Sequence, residues 1–375
     1  MSIRLLHTAD WQIAKAFSTF PEETATRLKE QRIDTVKKIG LLATERNVDA
    51  VLVAGDVFDV SPVADKTLRQ TLNAMASFSG PWLLLPGNHD SAVAESVWAQ
   101  IRRLGVPDNV LLLDAPEPVS LADGKVIVLP APLQRRHEAA DLTEWFDAHK
   151  SAPDIVRIGI AHGSVDNRLP ERGEAPNTIS HLRAEKADLD YLALGDWHGT
   201  HQVDARTWYS GTPETDRFKD NDSGNVLLIT IEKHGAKPTV EKIPIGTYRW
   251  RQIYPAVHGD EGAMTVHQAL EALGTPYENL VVQVAPKGAA SLKTQHLIAG
   301  KIASWDAMVR YLDYRTDSLI GEASEEDLED LGRGGFIGQA VAELRAIATS
   351  AEGEEAEIAN IALQLLYVEH KQTSR

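Results

Sequence analysis

Through the N-terminal half of the chain, short wholly apolar runs alternate with longer amphipathic segments, and each run ends in polar residues. The clearest is Pro81-Trp82-Leu83-Leu84-Leu85-Pro86, which breaks into Gly87-Asn88-His89-Asp90. A run of that length with no polar face predicts a sheet strand buried on both sides. Open α/β sheets gather their chemistry at the carboxyl ends of strands. Gly87 lets the backbone turn close to whatever those side chains hold. The same form recurs at 3–9, which delivers Asp10-Trp11-Gln12, and at 48–54, which delivers Gly55-Asp56-Val57-Phe58-Asp59. It recurs again at 155–161, before His162-Gly163, and at 189–194, before Gly195-Asp196-Trp197-His198. Residues 28–46 and 65–78 read as helices, with Ile33, Val36, Gly40 and Ala43 on one stripe of the first. Alternating strands and helices predict a largely parallel sheet covered by helices.

Further on the pattern changes. Residues 225–232 and 238–245 read as a hairpin, and Tyr248-Arg249-Trp250-Arg251 leads out of it. Residues 253–319 read as a small mixed α/β unit, with 266–273 helical and 280–285 a strand. The end, 324–371, reads as helical and acidic. Glu322, Glu325, Glu326, Asp327, Glu329, Asp330, Glu343, Glu352, Glu354, Glu355 and Glu357 face only Arg333 and Arg345, which repels DNA and suits a protein partner. Ile358, Ile361, Leu365 and Val368 form a stripe that fits a helix packed on its own domain as well as a docking helix.

Composition narrows the chemistry. With 375 residues and 43% hydrophobic content the chain is expected to form more than one domain. It has no cysteine, so a metal must be held by nitrogen and oxygen ligands. The first residues lack the apolar core of a signal peptide and no run reaches membrane-spanning length, so a soluble, cytoplasmic protein is expected. A net charge of −16 counts against general stickiness to nucleic acid, though a local basic groove survives it.

Five strand ends thus offer Asp10, Asp56, Asn88 with His89, His162, and Asp196 with His198. Carboxylates, an amide oxygen and imidazoles suit Mn²⁺ or Mg²⁺, with Zn²⁺ or Fe²⁺ as alternatives. Mixed sites of this kind commonly hold two ions that activate water against a phosphoryl group, so a phosphoester is the expected substrate. A single Gly-Asp after a strand is more often a turn or a cap, and a single histidine more often structural. Recurrence at successive strand ends weighs against that reading. Phe58, Trp82 and Trp197 read as packing residues, and His7, His181 and His201 as structural ones.

Asp10-x-Gln12, Gly55-Asp56-x-Phe58-Asp59, Gly87-Asn88-His89-Asp90, His162-Gly163 and Gly195-Asp196-x-His198 resemble the five motifs of calcineurin-like metallophosphoesterases. Within them, the chain is most similar to SbcD-like DNA repair exonucleases: Phe58-Asp59 with Ser61-Pro62 resembles that group's second motif, and Tyr209-Ser210-Gly211-Thr212-Pro213-Glu214 its Tyr-x-Gly-Ser-Pro-Glu segment. The motifs cover about residues 3–218. The resemblance implies an α/β metallophosphoesterase β-sandwich flanked by helices at 1–250, a small α/β capping domain at 251–320 and a helical C-terminal tail at 321–375. It implies two divalent ions, Mn²⁺ first and Mg²⁺ second. Asp56 would bridge them, Asp10, His198 and Gln12 would hold one, and Asn88, His162 and Asp196 the other. His89 would face the scissile phosphate, oriented by Asp90 or Asp59. Tyr209 and Arg217 would meet substrate, with Arg206 and Lys219 near the same groove. The implied partners are DNA, an SbcC-like coiled-coil ATPase of the SMC type and a second copy of the chain.

Two positions depart from the family. Gln12 and Asp196 each stand where a histidine is usual, which loosens the first ion and favours harder metals at the second. Three activities stay open: a metal-dependent DNA exonuclease or endonuclease, another phosphoesterase acting on cyclic nucleotides or small molecules, and a catalytically impaired subunit that binds DNA ends or the ATPase. A protein phosphatase is disfavoured, because Val60-Ser61 follows Asp59 and Asp90 stands where that group has glutamate. The stretch 130–137, with Arg135 and Arg136, is a candidate phosphate contact, and 166–177 reads as a loop over the site.

Overall fold

The computed structural model describes residues 2–60, 62–93, 96–166, 176–321, 328, 331, 335–350 and 353–373. Ser61, residues 167–175 of the expected loop, and positions 322, 325–327, 329, 330, 333 and 352 of the acidic stretch lie outside these. The chain divides into two compact units, Met1–Thr247 and Tyr248–Arg375.

Alternation along β1 (Ile3–Thr8) decides the layering of the first unit. Successive side chains of a strand point to opposite faces. Leu5 therefore joins Leu52, Leu83, Ile158 and Ile160 in one apolar cluster, while Leu6 joins Val36, Ile39, Leu72 and Trp82 in another. A strand that feeds two cores has no polar face, which is why these runs are apolar throughout. Truncating such a side chain, as in Leu52→Ala, costs about 2–5 kcal/mol.

β1 continues through parallel neighbours β2 (Ala50–Val53), β3 (Trp82–Leu84) and β4 (Val110–Leu112). The crossovers are α1 (Glu22–Glu45), α2 (Asp65–Met75) and α3 (Val97–Leu104), whose apolar stripes cover the outer face of this sheet. A second sheet contains β5 (Val119–Leu121), β6 (Val126–Ala131) and β7 (Val156–His162). A short pair, β8 (Ser164–Val165) and β9 (Thr178–Ile179), follows β7. The second sheet is completed by β10 (Tyr191–Gly195), β11 (His201–Gln202) and β12 (Thr207–Tyr209). The chain then returns to the first sheet as the antiparallel hairpin β13 (Asn225–Ile231) and β14 (Thr239–Pro244), with Ile231 opposite Ile3. The result is a sandwich of two six-stranded sheets with helices outside, as the sequence predicts.

Register brings the strand ends level. Thr8 pairs with Val53 and Val53 with Leu84 in one sheet, and Gly195 pairs with His162 in the other. One expectation is corrected here. Pro130 and Ala131 are not loop residues but the end of β6, where Pro130 pairs with Ile160 of β7 alone; β5 opposes only residues up to Val128. A proline is tolerated there because no ladder hydrogen bond is demanded on its other side. Arg135 and Arg136 lie beyond, exposed.

In the second unit, β15 (Arg249–Ile253), β17 (Leu280–Val284) and β19 (Tyr311–Tyr314) form one parallel sheet. A second holds β16 (Ala256–His258), β18 (Lys287–Ala290) and β20 (Leu319–Gly321). Helices α6 (Gly262–Glu271) and α7 (Leu292–Asp306) share a core with them around Val266, Ile298 and Trp305. Arg249 and Trp250 thus begin a strand of this unit and are not a lead-out from the preceding hairpin. The tail carries helices Gly335–Ser350 and Glu354–Thr373. Val341 and Leu363 are buried, whereas Ile358, Ile361 and Leu365 of the expected stripe are exposed. Among the described residues no helix is long and apolar enough to cross a membrane.

Candidate metal centre

The strand-end loops turn their side chains toward one another by adopting backbone conformations that L-residues avoid. Asp10, Gln12, Asp56 and Asp196 have φ of 53°, 49°, 52° and 99°. Each such residue costs on the order of 1–3 kcal/mol, and strain of this kind clusters at functional sites. It is held in place by main-chain bonds between the first two loops, Asp10 N to Gly55 O and Gln12 N to Asp56 O, both 3.0 Å. Glycine is required where the loops touch. A Cβ at Gly87 would lie 2.2 Å from Asp56 Oδ1, and one at Gly195 would lie 1.9 Å from Ala54 O.

Asp10, Asp56 and His162 are buried, and one ligand atom from each lies within 4.8 Å of the others. His162 Nδ1 is 2.9 Å from the carbonyl of Ala54. A carbonyl only accepts, so Nδ1 carries the proton and Nε2 is turned inward. Nε2 stands 3.4 Å from Asp56 Oδ1 and 4.0 Å from Asp196 Oδ1. Asn88 Nδ2 donates to Asp196 Oδ1 at 3.5 Å, which leaves its oxygen facing away from that contact. Among the described residues, His162 Nε2 and Asn88 Oδ1 are buried polar atoms with no hydrogen-bond partner. Leaving such atoms unsatisfied costs about 1–3 kcal/mol each, and a cation between them removes that cost. An amide oxygen, an imidazole nitrogen and carboxylates fit a hard-to-borderline divalent ion.

The electrostatics agree. Burial pushes the Asp10 carboxyl up to about 6, with Asp56 and Asp196 adding to the rise against His198 and His162. Burial opposes a charge on His162, yet Asp56, Asp10 and Asp196 raise it to about 9. Both shifts report crowded negative charge in a buried space, the condition a bound cation relieves.

The remaining candidates are placed differently from one another. Gln12 Nε2 donates to Asp56 Oδ2 at 2.7 Å. His198 Nδ1 lies 3.3 Å from Asp216 Oδ2, and Arg217 Nη2 donates toward the same nitrogen at 2.9 Å. His89 Nδ1 meets the main-chain oxygen of Asp59 at 2.9 Å, and its own N–H donates to Asp56 Oδ1 at 3.0 Å. Asp90 does not reach that imidazole. Its carboxylate accepts from Gly87 N at 2.6 Å and Phe58 N at 3.0 Å, tying the second and third loops together beneath the site. Burial, with Asp56 adding, pushes it up to about 7 against those two bonds. Tyr209 is fully buried, donating to Gly163 O at 2.8 Å and accepting from Val165 N at 2.9 Å.

Two residues were not singled out from the sequence. Asp216 is buried and takes Lys15 at 2.6 Å and Arg217 at 3.0 Å besides His198. Burial resists its charge, but His198, Arg217 and Arg32 hold it well below the usual carboxylate range. The only sequence signal was an acid beside Arg217. Arg32, on α1, donates to Trp11 O at 2.6 Å and Glu214 O at 2.9 Å, fastening the helix to the loops of the site.

A two-sheet α/β sandwich carrying carboxylates, an amide and imidazoles at its strand ends defines the metallophosphoesterase class. The family model for calcineurin-like phosphoesterases matches residues 3–228, and the chain belongs to that family. It is a metal-dependent hydrolase of phosphoesters. Among curated relatives it is 26% identical over 277 residues to SbcD, one of the two components of the nuclease SbcCD, from Bacillus subtilis, covering 64% of this chain and 69% of that one. It is 24% identical over 241 residues to the uncharacterized metallophosphoesterase YhaO of the same organism, 61% of this chain and 57% of that one. It is also 22% identical over 332 residues to the DNA double-strand break repair protein Mre11 of Methanosarcina mazei, 85% of this chain and 51% of that one.

Proposed function

We propose that this protein is a metal-dependent DNA phosphodiesterase, an exonuclease with endonuclease action as a further capacity, working in DNA repair. The observation that carries this reading is the buried cluster of Asp10, Asp56, Asn88 Oδ1 and His162 Nε2 with His89 beside it. The names of the relatives supply the substrate class. In this reading Asp56, Asn88, His162 and Asp196 hold a divalent ion, Mn²⁺ or Mg²⁺, and Asp10 and His198 line the adjoining half. The ion supplies Lewis acidity toward a phosphoryl oxygen and lowers the pKa of water.

The protein's own groups do the rest. With Nδ1 of His89 committed to the Asp59 carbonyl, only Nε2 remains to meet the phosphate or protonate the leaving oxygen. A side chain about one-third exposed suits that role, because substrate must reach it. Asp90 keeps His89 and Asp56 in register from below, and Arg217, about half exposed, meets the substrate phosphate. The partners in this reading are an SbcC-like SMC-type ATPase and a second copy of the chain, with 251–320 acting as a cap on DNA access and the helical end as the docking region. The compartment is the cytoplasm.

The test is hydrolysis of end-labelled linear DNA beside a phosphomonoester and a cyclic nucleotide, with Mn²⁺, Mg²⁺ or chelator. Metal-dependent shortening of DNA supports the reading. Hydrolysis of the monoester or cyclic nucleotide alone would move the protein to another phosphoesterase activity.

A further inference from the structure

The two halves of the metal centre offer an ion different things, and this inference rests on the metal-dependent reading above. In one half the ligand atoms are preorganised. Nε2 of His162 and Oδ1 of Asn88 are buried without hydrogen-bond partners, and Ala54 O fixes the imidazole so that Nε2 faces Asp56 Oδ1. Asp196 Oδ1 is within 4.0 Å of the same nitrogen.

In the other half the ligand atoms are already engaged. Asp56 Oδ2 accepts from Gln12 Nε2 at 2.7 Å. A carboxylate can only accept, so the amide must present its nitrogen, and an amide N–H has no lone pair for a metal. Both oxygens of Asp10 accept from Asp196 N, at 3.1 and 3.3 Å. His198 lies against Asp216 at 3.3 Å and takes Arg217 Nη2 at 2.9 Å. The guanidinium is carried on Asp216 through Nε, 3.0 Å from Oδ1, and Asp10 and Asp59 both act on its charge.

Charge balance follows the same division. Asp56 and Asp196 together match one divalent cation, with Asn88 and a neutral His162 as uncharged ligands. Asp10 is matched by Arg217, whose charge is permanent. Gln12 and Asp196, the two departures from the family pattern, shift the centre the same way: one removes a ligand from the first half, the other adds an anion to the second.

We propose that the centre binds one divalent ion tightly, between Asp56, Asn88, His162 and Asp196, and that the Arg217 guanidinium supplies in the Asp10–Gln12–His198 half the positive charge toward substrate phosphate that a second ion would bring.

The experiment uses the full chain, stripped by chelator and equilibrated with Mn²⁺, and reads bound metal per chain together with the electron paramagnetic resonance spectrum. One tight equivalent and an isolated six-line Mn²⁺ signal are expected. Gln12→His should gain a second equivalent and a spin-coupled signal. Two tight equivalents with a coupled spectrum in the unaltered protein would overturn the proposal. Binding of inorganic phosphate to the Mn²⁺-loaded protein tests the guanidinium. Arg217→Ala should weaken it about ten-fold or more, as loss of a charge-assisted contact does, with the first Mn²⁺ still bound, and unchanged phosphate affinity would overturn that part. These readouts need no DNA, so failure of the nuclease reading and failure of this one are separable.

Discussion

The imidazole of His89 is held at Nδ1 by the main-chain oxygen of Asp59, 2.9 Å away, while the Asp59 carboxylate stands 3.8 Å from the same nitrogen. The orienting group is therefore backbone, and it survives substitution of the side chain. Asp59→Asn should lower cleavage less than about ten-fold, whereas His89→Ala should lower it by about 10²–10⁴, the range of a positioned general acid. Steady-state rates of the two variants at saturating Mn²⁺ check this. An Asp59→Asn loss as large as that of His89→Ala would mean that the carboxylate orients the ring.

Gly87 is a packing requirement of the metal centre. Because its Cβ would fall 2.2 Å from Asp56 Oδ1 and 2.4 Å from Asp56 N, Gly87→Ala must push the Asn88 loop off Asp56. Bound Mn²⁺ raises the melting temperature of the unaltered protein by mass action. That rise should be largely lost in Gly87→Ala, which differential scanning calorimetry with and without chelator reads directly. An undiminished rise would show that the loop absorbs the methyl group.

The site was legible where position along the chain implies position in space. Asp10, Asp56, Asn88, His162 and Asp196 each directly follow a buried apolar strand, so a parallel sheet in register must bring them to one edge. What was hidden depends on contacts between distant segments. Arg32 lies on a helix with polar neighbours and reads as a surface residue; only the fold turns it under Trp11 O. Asp216 sits in a loop without periodicity, and its grip on His198, Lys15 and Arg217 has no local signature. Asp90 follows His89 directly, yet the turn sends its carboxylate down to two backbone amides. Tyr209 looked like a substrate contact because its segment follows the fifth motif, but its ring is part of the core beneath. The tail misled in the opposite sense: Ile358, Ile361 and Leu365 are periodic, and it is Ala359 and Leu363 that are buried.

Tyr209 therefore acts on stability. Its hydroxyl closes two bonds to the segment after β7, to Gly163 O and Val165 N. Tyr209→Phe leaves both groups buried without that partner and should cost about 1–3 kcal/mol, with little change in KM. Urea unfolding and steady-state kinetics separate the two effects. A raised KM at unchanged stability would return Tyr209 to the substrate groove.

His7 gives a pH signature away from the metal centre. It is fully buried, its Nδ1 2.9 Å from Tyr191 Oη, and burial lowers it from 6.5 to about 3 despite a hydrogen bond to the Leu194 backbone. Between those values the unfolded chain binds a proton that the folded chain refuses. Stability is thus full above about 6.5 and falls as pH drops toward 3, by about 1.4 kcal/mol per unit from this group. Asp10 and Asp90, raised by burial, act in the opposite sense over part of that range. The difference between the unaltered protein and His7→Gln isolates the histidine. Chelated His7→Gln should show a stability that rises less with pH between about 4 and 6.5, and parallel curves would contradict the burial argument.

Asp56 is the residue on which the whole centre turns, since Gln12, His89 and His162 all address its carboxylate. The most direct test is the rate of end-labelled duplex cleavage by Asp56→Ala at saturating Mn²⁺, beside the unaltered protein, with melting curves in chelator confirming that both are folded. The predicted result is metal-dependent cleavage by the unaltered protein and loss of about 10³-fold or more in the variant, in keeping with removal of a principal metal ligand. Cleavage by Asp56→Ala at the unaltered rate would contradict the assignment of this strand-end cluster as the hydrolytic centre.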